Sequence, residues 1–202
     1  MKWTMGHPLK GVAGALLLLG TMSAPSAARA GFTISLDPGS PTGAGPFTYA
    51  YTASIPTGDQ ISAGDFFRIY DFNGYVPLSI AAPAGWSATI ATSNPTPPPN
   101  VILSHGDDPA IPNLIFTYAG AAPIVGAASI GGFTAQSTFG FLGAIKDFAG
   151  RDRKPDGSPV DSVGDVRVPG PVPEPASVVS LLFGGALIAF AGRRYCKVKP
   201  GC

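Results

Sequence analysis

Between residues 31 and 168 the apolar residues recur mostly at every second position, the period of a half-buried β-strand. Phe32, Ile34 and Leu36 alternate before a DPGSPTGAGP break. In FTYAYTASI, Phe47, Tyr49, Tyr51, Ala53 and Ile55 share one face, and Thr48, Ala50, Thr52 and Ser54 the other. DFFRIYDF, residues 65–72, is apolar on both faces, as a central strand is. Asn73-Gly74 follows, a strong hairpin signal, and predicts a return strand over 75–80. Further strands are expected at 86–92, 101–103, 113–118, 133–144 and 160–168, with an NPTPPPN loop before Val101. Lys154-Pro155-Asp156-Gly157 is a good turn and brings the last strand back beside the preceding one. Short strands at intervals of about 8–12 residues predict an all-β fold, an antiparallel β-sandwich over residues 31–168. No amphipathic helix and no internal repeat interrupts it.

The two ends follow other patterns. Lys2 and Lys10 precede a short apolar run, Gly11 to Gly20, and Ala28-Arg29-Ala30 supplies small residues around a cleavage point. This is the three-part organisation of a secretory signal peptide over residues 1–30, cut by signal peptidase between Ala30 and Gly31. Near the other end, residues 176–192 read ASVVSLLFGGALIAFAG without a charge. As a helix this run rises about 25 Å, near the lower limit for one transmembrane helix. Arg193, Arg194, Lys197 and Lys199 follow within the tail 193–202, a basic stop that stays cytoplasmic and leaves the domain outside.

Between domain and span lies a Pro-rich linker, residues 169–175, ending in Val172, Pro173, Glu174 and Pro175. Glu174 is the only Glu of the chain. Alternating prolines hold such a strip extended, a shape that a processing enzyme can grip and that also makes a stiff spacer. The ordered series of signal peptide, VPEP, short apolar span and Arg-rich end resembles the PEP-CTERM sorting signal of Gram-negative bacteria. The resemblance covers about thirty C-terminal residues and leaves the exported domain unassigned. It implies an exosortase-like transpeptidase as partner, and a membrane-anchored precursor that passes to the cell envelope or the extracellular space.

Composition narrows the activity of the domain without naming it. Charged residues make up 12% of the chain, about half the usual fraction. From Gly31 to Pro171 there are eleven Asp against six Lys and Arg, a net charge of −5, which offers no footprint for nucleic acid. Thr, Ser, Asn and Gly must supply much of the polar surface, as suits a matrix of polysaccharide and protein. Cys196 and Cys202 both follow the basic stop, so the exported domain has neither a disulfide nor a Cys ligand or nucleophile.

Candidate chemistry in the domain is sparse. His105 is its one histidine, within Ser104-His105-Gly106-Asp107-Asp108, and adjacency does not make a triad, which needs convergent geometry. Asp107-Asp108 reads as a solvated turn, with a calcium site as the weaker alternative. The DRKPDG segment from Asp152 fails as a calcium loop, because Lys154 and Val163 stand where acids are required. No cofactor is expected. Trp86 is the candidate stacking ring for a carbohydrate, although aromatic residues in strands are more often core. Isolated Thr48 and Thr52 do not make an ice-binding array. The expectation is therefore a non-enzymatic exported surface or matrix protein. A carbohydrate-binding module of the exopolysaccharide matrix is the alternative, and a small envelope hydrolase the third reading.

Overall fold

Phe47–Ile55, the segment with the clearest alternation, is a strand over all nine residues, with Tyr49, Tyr51, Ala53 and Ile55 buried. The computed structural model describes residues 31–171 apart from 93 and 94. The expected signal peptide with Ala28 and Ala30, the motif Val172–Pro175, the expected span 176–192, and the tail with Arg193 and Arg194 lie outside the described residues.

The described residues contain no helix and ten strands: β1 (Thr33–Leu36), β2 (Phe47–Ile55), β3 (Gln60–Ile61), β4 (Phe66–Ile69), β5 (Trp86–Ala91), β6 (Asn113–Tyr118), β7 (Ile124–Val125), β8 (Ala128–Ser137), β9 (Phe141–Arg153) and β10 (Pro159–Gly170). Every pairing is antiparallel. One sheet is ordered β1-β2-β8. The other runs β5-β6-β4-β9, with β10 on the far edge of β9 and the short β3-β7 pair beyond the end of β4. The all-β, antiparallel part of the expectation holds, and the sheets form a curled half-barrel around one core.

The core joins the sheets through aromatic rings. Phe133 of β8 meets Phe67 of β4 edge-on at 4.9 Å and Phe116 of β6 at 5.1 Å, and Phe67 stacks on Phe116 at 5.0 Å. Truncating any one of these buried rings costs about 3–5 kcal/mol. Buried tyrosines satisfy their polar tips on backbone: Tyr51 Oη donates to the Arg167 carbonyl at 3.1 Å, tying β2 to β10. Tyr49 Oη lies 3.0 Å from the carbonyls of both Phe139 and Phe141 and donates across that pair.

Four segments depart from the alternation. The chain does turn at Asn73-Gly74, where Gly74 has φ 65°, but no return strand forms over 75–80. Both edges of β4 are already taken, by β6 and by β9. The segment crosses instead to β8, touching it at Tyr75–Ser137 and Ala81–Thr134. Residues 101–103 are not a strand either. They follow Pro97–Pro99, which lack backbone donors, and Ile102 is 85% exposed. The strand expected over 133–144 is broken at residues 138–140 into the ends of β8 and β9. Finally β10 continues through Pro169 and Gly170 of the expected linker, which pair with Leu142 and Phe141. Pro169 is tolerated because β10 is an edge strand whose register shifts just before it.

Candidate functional site

The polar loop after Val101 folds back over the ends of β4, β6 and β9, and buried carboxylates hold it there. Asp71, just beyond β4, is 1% exposed and adopts φ 54°, a left-handed conformation uncommon outside Gly, Asn and Asp. Its Oδ1 accepts from the Asp108 N–H at 2.9 Å, and its Oδ2 accepts from Lys146 Nζ at 2.7 Å. Asn113, at the start of β6, accepts from the Asp71 N–H at 2.7 Å and donates to Asp107 Oδ1 at 3.0 Å. Asp107 Oδ2, the Tyr70 hydroxyl and Arg68 Nε are buried without a hydrogen-bond partner among the described residues. Burial raises the pKa of Asp107, and it also raises that of Tyr70.

Asp147 of β9 anchors the loop from the other side. It accepts from the His105 N–H at 2.7 Å, and His105 Nδ1 stands 3.3 Å from its second oxygen. Asp165 of β10 lies 3.9 Å from the same ring nitrogen. One imidazole nitrogen and two carboxylates thus lie within 4.8 Å of one another. Such a mixed donor set suits a divalent transition metal better than calcium. The contacts also work without an ion, since Asp147 already receives two bonds from His105. The His105–Asp147 pair resembles the orienting half of a nucleophilic triad, yet no hydroxyl is hydrogen-bonded to the ring among the described residues.

The sequence reading placed Ser104 to Asp108 in a polar loop, and that is where they are. It did not bring in Asp71, Asp147 or Asp165, because their partners are distant in the chain. The available signal was an acid inside an otherwise apolar expected strand, Asp71 within 65–72 and Asp165 within 160–168. The Asp152–Gly157 segment is also not a calcium loop in the fold. Asp152 lies within β9, whereas Asp156 caps the turn by accepting from the Ser158 N–H and hydroxyl, bonds that lower its pKa.

Trp86 begins β5 with its ring packed on Phe133, Tyr118, Phe67 and Phe32 at centroid distances of 5.0, 5.3, 5.8 and 6.4 Å. Half-buried among four rings, it closes the edge of the core. Gly31 is buried beside Asp152 and Ser162.

Residues 171–194 match the PEP-CTERM protein-sorting motif, the signal of exported, exosortase-directed proteins of the Gram-negative cell envelope. The remainder of the chain matches no family. No curated protein matches the chain.

Proposed function

We propose that this chain is a non-enzymatic β-domain of the cell surface or extracellular matrix, delivered by its C-terminal sorting signal. After signal peptidase cuts at Ala30–Gly31, the apolar span 176–192 holds the precursor in the membrane. An exosortase-like transpeptidase then acts at Val172–Pro175. The observation that carries this reading is the abutment of fold and motif. β10 ends at the buried Gly170, and the sorting match begins at residue 171. No further folded element intervenes, so the processing enzyme meets its motif where the domain stops.

The surface is consistent with a matrix role. Thr33 and Ser35 on β1, and Ser87 and Thr89 on β5, form exposed hydroxyl rows that hydrogen-bond water or polysaccharide without charge. The carbohydrate-module alternative draws no support from Trp86, whose ring already has four aromatic neighbours.

Glu174→Gln tests the sorting step, since it keeps the shape of the strip and removes its charge. The variant should accumulate as a membrane-bound form larger than the released protein by the tail after the motif. Release in wild-type amounts, both from Glu174→Gln and from a chain lacking Pro173–Pro175, defeats the sorting role and leaves an ordinary anchor.

A further inference from the structure

Asp152 is fully buried, and neither carboxylate oxygen has a hydrogen-bond partner among the described residues. Strand alternation sets it on the same face of β9 as Phe148 and Gly150, the face that packs on the core. The neighbouring acids each have a cation: Asp59 has Lys154, Asp65 has Arg153 at 2.9 Å, and Asp161 has Arg151 at 2.7 Å. Asp152 is the one acid of this group without one. A buried carboxylate left so is costly unless it is paired or neutralised. Burial first, then the charge of Asp59, pushes its pKa up to about 7.

Gly31 fills the space beside it. A Cβ at this residue would stand 2.9 Å from Asp152 Oδ1 and 3.1 Å from Ser162 Cβ. The Gly31 nitrogen therefore lies within roughly 5 Å of the carboxylate. Phe32 pins the position, with its ring against Gly150 and 5.7 Å from that of Phe67. In the uncut chain this nitrogen is a neutral amide. Hydrolysis of the Ala30–Gly31 bond leaves the carboxylate on Ala30 and an amine on Gly31, which takes up a proton near neutral pH.

We propose that Asp152 is the binding site for the α-ammonium group of Gly31, and that removal of the leader creates the missing cation of this buried cluster. The proposal rests on cleavage at Ala30–Gly31. It explains why an acid sits on the inward face of β9, and why a residue without a side chain sits beside it. Before cleavage the cluster is one charge short, so this end of the domain gains its last ion pair only after the leader has gone.

The test uses the chain Gly31–Cys202 in detergent, with a free amine or N-acetylated at Gly31, which restores a neutral amide there. Each form is made with Asp152 and with Asp152→Asn. At pH 7 the free-amine form should melt about 5 °C or more above the acetylated one, the scale of a buried ion pair in a domain of this size. Asp152→Asn should abolish that difference. Equal midpoints for the two Asp152 forms overturn the pairing. Should Asp152→Asn fail to fold, titration of the Gly31 amine decides: a pKa above the ordinary range of about 7.7–8.0 supports the pair, and a value within it overturns the pair. N-terminal sequencing of the exported protein tests cleavage separately. A different N-terminus overturns the proposal, because the free amine then does not fall on Gly31; retention of Met1 removes the leader reading as well.

Discussion

Asp147 and Asp165 stand directly opposite each other across the β9–β10 ladder, two acids at a position where like charges are destabilising. The His105 ring lies against both, at 3.3 and 3.9 Å. His105→Ala should therefore cost about 1–2 kcal/mol, from the lost bond and the exposed repulsion. Adding Asp165→Asn should return part of that loss. Urea denaturation of the single and double variants measures both, and an undiminished loss in the double variant would show that His105 does not bridge the pair.

Phe32 rests against the Cα of Gly150, where a Cβ would come 2.8 Å from its ring and 3.2 Å from the Phe66 carbonyl oxygen. Gly150→Ala should displace Phe32 and destabilise the domain by about 1–3 kcal/mol. Phe32→Leu in the same background should relieve some of the strain. Thermal melts of the two variants beside the parent check this, and a Gly150→Ala chain of wild-type stability would place Phe32 elsewhere.

Trp86→Ala should destabilise the fold by about 3–5 kcal/mol, because the ring closes the core edge against four aromatic neighbours. Trp86→Phe should recover most of that. Chemical denaturation distinguishes this from a carbohydrate platform, whose truncation leaves stability nearly unchanged.

With Gly31 N-acetylated, Asp152 should make stability fall as pH rises. Its pKa in the fold, about 7, lies above the ordinary 3.8, so the native state holds the proton more tightly. That contribution is complete below the ordinary value and is lost as pH rises through about 7. The other acids of the cluster, Asp59, Asp65 and Asp161, are paired with Lys154, Arg153 and Arg151. The difference between Asp152 and Asp152→Asn curves isolates the one group. Denaturation at pH 4.5 and 7.5 should find Asp152→Asn gaining on the acetylated parent at the higher pH, and parallel curves would contradict this.

Much of the candidate site was hidden for a physical reason. The loop from Ser104 to Asp108 is polar and rich in turn residues, and its surface position follows from that composition. The acids holding it are on β9, β10 and just beyond β4, and their inward placement depends on which strands pair. Asp152 was more concealed, since DRKPDG has the composition of a turn. Only the long β9–β10 pairing draws Asp152 into a strand and leaves the turn to begin at Lys154.

Local chemistry settled what could be read from contiguous residues. The sorting motif is one stretch of chain, and it is recognised as such. The all-β class also follows from residues near one another, as the alternation through Phe47–Ile55 and the turn at Lys154–Gly157 illustrate. Pairing was decided in three dimensions, because a strand edge can be used once. Asn73-Gly74 turns the chain, but β6 and β9 already hold both edges of β4, so the expected hairpin gives way to a crossing onto β8. The same holds for charge. Whether an acid is solvated, paired or stranded depends on what the folded chain brings beside it, and for Asp152 that neighbour is Gly31, at the opposite end of the domain.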